Sequence, residues 1–285
     1  MSEEPPAAAE ARIAGTRLSG TWGSSLTSGE FAAVRGAGFE PVGQVFGAAV
    51  YAAGSVRGSM CSAAGSFGPL VQAMYEASRT AIDRMTAECA QLGGHGVVGV
   101  RLTRGSFPLG GLEFLAIGTA VHAPGTPCGE REPFASDLSG QDFAKLIMAG
   151  WVPAGLALGI SIGSRHDDRA TARQARWSSG NTEVAGWTEL VSESRHEARR
   201  QLEGDVRRLG AEGVVIAAMQ LRVSQRDCPA STGRRDHIAE ATLIGTAMAR
   251  FSRTERHHVL PARAVMSLDP QRRRTGSAGR GFAPR

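Results

Sequence analysis

Apolar residues recur along the chain in two blocks that share one order of predicted elements. Each block has an apolar run with glycines, "FEPVGQVFGAAVY" at 39–51 and "WVPAGLALGISI" at 151–162, which predicts a strand. The glycines in these runs indicate bends or a close backbone approach. A longer segment follows whose apolar residues lie three and four apart, which predicts an amphipathic helix. Each block then closes with two apolar runs of strand length, "GVVGVRL" and "FLAIGTAV" in the first block and "GVVIAAMQL" and "TLIGTAM" in the second. A loop between these two runs favours an antiparallel hairpin.

The two long helices are predicted to bury one face each. Their apolar positions are Val71, Met74, Ala81, Ile82, Met85, Cys89 and Leu92 in the first block, and Val191, Ala198, Leu202, Val206 and Leu209 in the second. The rest of the second helix, "RHEARRQLEGDVRR", is highly charged, so it should face water or a charged partner. Ser28 and Ser139 are predicted to cap the short helical turns that open the two blocks.

An internal duplication explains why the two blocks look alike. Leu26–Val50 aligns with Leu138–Ile162 at an offset of 112 residues, and Leu92–Val100 aligns with Leu209–Ala217 at an offset of 117. The closing phrases "IGTA" align at an offset of 127. The offset grows along the chain, which places the differences in length between elements. We therefore predict two copies of one small unit.

The order of strand, helix, strand, strand in each copy predicts an α+β protein. It would consist of two tandem two-layer β-α-β-β units, each with one long helix on a small antiparallel sheet. The predicted boundaries are a disordered leader at 1–24, a first domain at 25–121, a linker at 122–137, a second domain at 138–250 and a basic disordered tail at 251–285. Gly118 and Gly245, within "IGTA", indicate close packing against a neighbouring element.

The net charge of +5 is concentrated at the C-terminus, where residues 250–285 hold nine arginines and two acidic residues. This composition predicts a solvated, flexible tail, and loose contact with nucleic acid or an acidic partner is the alternative. No run approaches the roughly 18 apolar residues that a membrane-spanning helix needs. The N-terminus lacks the apolar core of a signal peptide, so we expect a cytoplasmic protein with no membrane partner.

Side chains with obvious chemistry are sparse. The four cysteines are scattered and are expected to be free thiols, with Cys89 in the core. His166 with Asp168, in a loop segment "RHDD", is the best candidate for binding a divalent or soft metal ion, although Arg165 and Arg169 oppose a cation there. No nucleophile motif, phosphate loop or acid–base pair stands out, so we predict that the protein is not an enzyme.

The combination of "FEPVGQVFGAAVY", a helix that ends in "LGGHGVVGV", and "FLAIGTAV" resembles the YbjQ family of heavy-metal-binding domains, also called UPF0145. The second copy is more divergent, with Ile216 and Ala217 where the first has Gly99 and Val100. The resemblance implies small dodecin-like units that assemble into closed five-fold rings, and therefore a homo-oligomer. Two units per chain could stack as two five-fold layers or alternate around one ring.

These observations favour a non-enzymatic, self-assembling, ring-forming structural or binding protein. One helix on about three strands makes a thin core with exposed sheet edges, and such a unit gains stability by pairing with copies of itself. The alternative, which the family name implies, is a protein that binds heavy metals or small ligands as a sensor or carrier. The two hypotheses differ in whether the chain must bind something other than itself.

Overall fold

The computed structural model describes Ala11 and residues 13–15, 23–52, 67–127, 132–176, 180–227 and 235–251. The described residues belong to one compact unit. The predicted basic tail, with its nucleic-acid contact, lies outside the described residues after Phe251. Cys61, Cys128 and Cys228 also lie outside them, whereas Cys89 is buried in the core, as predicted.

From residue 23 onward, the described residues of the first half contain two helices and a four-stranded sheet. Its elements are α1 (Ser28–Gly36), β1 (Glu40–Tyr51), α2 (Gly68–Gln91), β2 (Gly96–Phe107), β3 (Gly111–His122) and the short β4 (Phe134–Ala135). The strand order is β1-β3-β2-β4. The long strands pair antiparallel, and β4 pairs parallel to β2.

The second half repeats that order of long elements. It comprises α3 (Gly140–Met148), β5 (Trp151–His166), the short α4 (Arg169–Gln174), α5 (Ala185–Arg208), β6 (Gly213–Asp227) and β7 (Arg235–Arg250). Its sheet has the order β5-β7-β6 and is antiparallel throughout. The molecule is thus an α+β protein with small sheets and few helices, which confirms the predicted fold class at this level.

The two long helices lie against their sheets through glycines. A Cβ atom on Gly47 would lie 2.1 Å from the Ala81 carbonyl oxygen of α2, and one on Gly159 would lie 2.1 Å from the Ala198 carbonyl oxygen of α5. Any larger residue at either position would push the helix away from the strand. The close backbone approach expected from these glycine-bearing strands is therefore present in both halves.

The buried faces of the long helices follow the predicted pattern. In α2 the buried residues include Met74, Ala81, Met85 and Cys89, and in α5 they include Ala198, Leu202 and Val206. The α2 cluster also contains Leu156 and Ile160 of β5, so the core of the first half continues into the second half.

Several boundaries differ from the sequence expectation. The N-cap of α1 is Thr27, which forms a capping box with Glu30, so Ser28 is the first helical residue and not the cap. Ser139 does cap α3, as predicted. His166 is the last residue of β5, which runs on past the predicted strand end, and is not part of a loop. The region after His166 that is predicted to be a loop contains α4, and Asp168 is the N-cap of this helix.

The predicted leader and linker contain ordered residues. Ile13 lies in a helical segment and is only 4% exposed, and Ser24 hydrogen-bonds to Thr119. Disorder throughout 1–24 therefore does not hold for these residues. The predicted linker at 122–137 includes the end of β3 and all of β4, because its backbone groups find partners on the edge of β2.

Candidate functional site

The "IGTA" threonines bind the segments that precede the short helices. The buried Thr119 hydroxyl accepts a hydrogen bond from the Ser25 amide at 3.1 Å and lies 3.1 Å from the Ser24 hydroxyl. The buried Thr246 hydroxyl has the same arrangement with the Asp137 amide at 3.1 Å and the Ser136 hydroxyl at 3.0 Å. Both segments are thereby fixed against the strand that carries an IGTA phrase, β3 in the first case and β7 in the second.

Asp137 adds a carboxylate to the second of these anchors. The Thr246 hydroxyl donates a hydrogen bond of 2.5 Å to Asp137 Oδ1. Burial raises the pKa of the Asp137 carboxyl group above its usual value, and the Thr246 hydrogen bond opposes this effect only in part. This site is a structural anchor, because its polar atoms form hydrogen bonds with one another.

The second of these segments also closes the open edge of the first sheet. The Ser136 amide donates to the Val97 carbonyl at 2.8 Å, and the Val100 amide donates to the Ser136 carbonyl at 2.9 Å. The Gly99 amide donates to the Leu138 carbonyl at 3.1 Å. The edge of β2 is thus paired by residues of the second half.

The short helices of the two halves meet beside this paired edge. Val34 of α1 and Phe143 of α3 are fully buried in one cluster with Val98 of β2 and Leu138. Phe143 packs edge-on against Phe39 at a centroid distance of 5.1 Å. An apolar contact therefore holds the halves together alongside the backbone hydrogen bonds.

Tyr75 of α2 bonds to the outer edge of β5. Its hydroxyl donates to the Leu158 carbonyl at 2.9 Å and accepts from the Ile160 amide at 3.0 Å. Burial raises the pKa of Tyr75 to about 12, and the nearby Asp205 carboxylate contributes in the same direction. The phenol therefore remains protonated and continues to satisfy two backbone groups of the second half.

Asp205 of α5 is a second polar link between the halves. Its buried carboxylate accepts from the Leu158 amide at 3.0 Å, from Arg79 of α2 at 2.5 Å and from Arg208 at 3.1 Å. A buried carboxylate is tolerated only where it is paired and hydrogen-bonded in this way. Sequence reasoning missed Tyr75, Arg79 and Asp205, although they are polar residues that interrupt otherwise regular helix faces.

A cavity of about 210 Å³ lies between the two halves. Apolar side chains from both halves, among them Met74, Phe114 and Ile244, form part of its wall. Arg104 of β2 pairs with Glu240 of β7 at 2.6 Å within it, and the two side chains are 18% and 20% exposed. The charged pair links the two sheets across this cavity.

Strand β6 differs from β2 in what covers it. Among the described residues it exposes large apolar side chains: Val215 at 38%, Ile216 at 43%, Met219 at 57% and Val223 at 54%. Val98, at the position of β2 that corresponds to Val215, is fully buried. Exposed apolar side chains along an edge strand mark an interaction surface or a risk of aggregation.

The predicted metal-site residues have other partners. His166 Nδ1 lies 2.5 Å from Asp236 Oδ1, and Asp168 accepts the Thr171 amide at 2.7 Å. The Thr171 hydrogen bonds lower the pKa of the Asp168 carboxyl group. Arg165 lies 3.9 Å from the Asp168 carboxylate. Both candidate ligands would have to exchange these partners to bind a metal ion.

Two negative findings apply only to the residues that the structure describes. They contain no group of three or more His, Cys, Asp or Glu side chains placed to hold one metal ion. None of their helices has the length and apolar character needed to cross a membrane.

Comparison with known proteins assigns the family. Residues 32–124 match the family model YbjQ_1, whose description reads "Putative heavy-metal-binding". The chain is also 36% identical over 198 residues to the encapsulin nanocompartment protein Rv1762c of Mycobacterium tuberculosis (strain ATCC 25618 / H37Rv). That alignment covers 67% of this chain and 75% of the relative.

The chain belongs to the YbjQ family. The resemblance noted in the sequence is thereby confirmed for the first half, where β1, α2, β2 and β3 lie within the matched residues. The 198 residues aligned with the mycobacterial relative exceed the length of a single YbjQ match, so the similarity continues beyond the first half.

Proposed function

We propose that this YbjQ protein is a non-enzymatic, self-assembling structural protein of the cytoplasm. In this proposal the chain consists of two tandem YbjQ-like domains, each a dodecin-like β-α-β-β unit, and its main partner is another copy of itself. The observation that carries the proposal is the exposed apolar surface of β6, at Val215, Ile216, Met219 and Val223.

The exposed surface has a cost in solution that a partner would remove. Each large apolar side chain moved from water into a contact contributes on the order of 1.5–3 kcal/mol. Four such residues on one strand would therefore contribute several kcal/mol on association, before the entropic cost of association is subtracted. A surface of this kind favours binding over a catalytic role.

The comparison supports the same reading. The relative from Mycobacterium tuberculosis is named as an encapsulin nanocompartment protein, and a nanocompartment is an assembly of many chains. Similarity over two thirds of this chain favours a related structural role here. A pentameric ring, which the family resemblance implies, is one form that such an assembly could take.

Size-exclusion chromatography with light scattering tests the proposal. The wild-type chain should elute at micromolar concentration with a mass at least twice the 29.8 kDa of one chain. The double variant Met219→Lys/Val223→Lys should lower that mass, because charges on an edge strand oppose pairing. Leu109→Lys is the matched control, since Leu109 is 89% exposed in a turn far from β6 in sequence. A wild-type monomer would refute the proposal.

Binding of a heavy metal is the second candidate, and the description of the matched family favours it. In this version His166 and Asp168 would contribute ligands after releasing Asp236 and the Thr171 amide. Titration of untagged protein with zinc, copper and cadmium, with His166→Ala as the comparison, tests it. Stoichiometric binding that His166→Ala abolishes would support this candidate, and absence of stoichiometric binding would remove it.

A further inference from the structure

The contact between the two halves uses a different surface from each half. The second half contributes the face of β5 that points away from α5, because Ala157 and Gly159 face α5 while Leu156 and Ile160 join the core of the first half. It also contributes the segment Ser136–Leu138. We call these residues the docked face.

The first half contributes the surface on which the docked face lies, which we call the receiving face. It consists of the outer edge of β2 at residues 97–100, the side chains Leu102 and Phe114, and Tyr75 on α2. Docked and receiving faces have different composition and shape. The contact between the halves is therefore heterologous.

Each half also carries a counterpart of the face that the other half contributes to this contact. The offset of 112 residues places Phe46, Ala48 and Val50 of β1 at the positions of Leu158, Ile160 and Ile162. Phe46 is 38% exposed and Val50 is 49% exposed, whereas Leu158 and Ile160 are buried. The first half thus presents a counterpart of the docked face whose large apolar side chains Phe46 and Val50 are partly exposed.

The second half presents an uncovered version of the receiving face. The offset of 117 residues places Val215, Ile216 and Met219 of β6 at the positions of Val98, Gly99 and Leu102. Val98 is fully buried and Leu102 is half-buried, whereas Val215, Ile216 and Met219 are all exposed. β6 pairs only with β7 among the described strands, so its other edge is open there.

The backbone segment needed to close that edge exists in the first half. Ser24 and Ser25 hold Thr119 with the same set of hydrogen bonds by which Ser136 and Asp137 hold Thr246. The Leu26 amide donates to the Ser24 hydroxyl just as the Leu138 amide donates to the Ser136 hydroxyl. Gly23–Leu26 is therefore set in the geometry of the segment that pairs with β2.

We propose that copies of this chain join head to tail, with the first half of one copy docked on the second half of the next. Gly23–Leu26 pairs in parallel along β6, the Ser24 amide donating to the Val214 carbonyl and the Ala217 amide donating to the Ser24 carbonyl. Phe46 and Val50 cover Met219. The contact repeats between chains the one that exists within each chain. This inference rests on the proposed self-assembly and specifies the surface that carries it.

A head-to-tail contact has a consequence for the assembly. Between chains, each chain uses the first half's counterpart of the docked face once and the second half's counterpart of the receiving face once, so chains form either a closed ring or an open filament. Every closed ring then contains an even number of halves, with first and second halves alternating. Of the two arrangements that the sequence left open, alternation around one ring follows from this contact, and stacking of two five-fold layers does not.

Cysteine cross-linking tests the register directly. Gly23 and Val214 correspond to Ala135 and Val97, which are direct partners in the β4–β2 pairing. Single variants Gly23→Cys and Val214→Cys are prepared in a full-length background in which the four natural cysteines are replaced by serine or alanine. After the two variants are mixed, dissociated, reassembled and oxidised, we expect a covalent dimer at twice 29.8 kDa.

The controls distinguish a heterologous contact from other contacts. Each single variant oxidised alone should give no dimer, and the double variant Gly23→Cys/Val214→Cys should give a ladder of covalent oligomers. Gly23→Cys mixed with Val223→Cys is the out-of-register control and should give no dimer. A dimer from one single variant alone would show that like surfaces pair and would overturn the inference.

Two further outcomes separate this inference from the proposed function. If light scattering shows an oligomer but the mixed variants do not cross-link, assembly stands and the head-to-tail contact is wrong. If cross-linking appears only after residues 252–285 are deleted, the chain's own tail covers β6 in the full-length protein, and the inference is overturned. A wild-type protein that is monomeric by light scattering would refute both the proposed function and the head-to-tail contact.

Discussion

Replacing Gly159 with alanine is expected to destabilise the second half. The added Cβ would lie 2.1 Å from the Ala198 carbonyl oxygen and 3.0 Å from Leu202 Cβ, whereas ordinary contacts begin at 3.4 Å. Helix α5 would have to move away from β5 by about 1.3 Å to restore an ordinary contact, because the clashing oxygen belongs to the backbone and cannot rotate away. Overpacking of this kind costs about 1–3 kcal/mol.

Gly204→Ala in the same helix is the matched control. A Cβ at Gly204 meets no atom within 4 Å, and the residue lies well inside α5. An alanine there is expected to stabilise the helix by about 1 kcal/mol, since glycine is a poor helix former. The same chemical change thus has opposite signs at two positions, and the variants should differ by about 2–4 kcal/mol.

Urea unfolding followed by circular dichroism at 222 nm measures both variants against the wild type. Protein concentration is held constant, because association shifts the apparent stability. The unfolding midpoint should fall for Gly159→Ala and rise for Gly204→Ala. Equal midpoints for Gly159→Ala and the wild type would show that α5 does not lie on β5 as described.

Two further substitutions test the contacts between and within the halves. Tyr75→Phe should lower the free energy of unfolding in urea by about 1–3 kcal/mol, because the Leu158 carbonyl and the Ile160 amide lose their partner. Tyr51→Phe is the control. An ultraviolet titration should place the Tyr75 phenol near pH 12. Asp137→Asn should be more stable than the wild type at pH 7. Burial raises the pKa of Asp137, so the native state holds this proton more tightly than the unfolded state does, and ionisation of Asp137 destabilises the native wild type. Asparagine cannot ionise and avoids this cost. The difference should shrink as the pH falls through that native pKa, and a difference that grows in acid would contradict this assignment.

Much of the local structure could be predicted from the sequence. Periodicity located both long helices, and Met85 and Leu202 lie at the centre of the predicted apolar stripes and are buried. The glycines of β1 and β5 indicated close backbone approach, because a residue without a side chain is needed where a helix backbone lies on a strand. The repeated "IGTA" phrase indicated a shared role, and its threonines hold corresponding segments.

The candidate surface could not be predicted in the same way. "GVVGVRL" and "GVVIAAMQL" have the same apolar pattern, yet the edge of β2 is paired and β6 is exposed on one side. The difference arises because the chain passes from the first half directly into a segment that pairs with β2. The hydrophobic pattern of a segment indicates that its strand tends to be buried, but it does not indicate which element covers that strand.

The sequence by itself determined the order of the long elements, the buried faces of the long helices and the family, since these depend on residues close together along the chain. The tertiary structure alone decided that Tyr75, Arg79 and Asp205 join the halves, since those contacts connect residues up to 126 positions apart. It also decided that, among the described strands, β6 pairs on one edge only. Hydrophobic periodicity is local, whereas the covering of an edge depends on where distant segments of the chain come to lie.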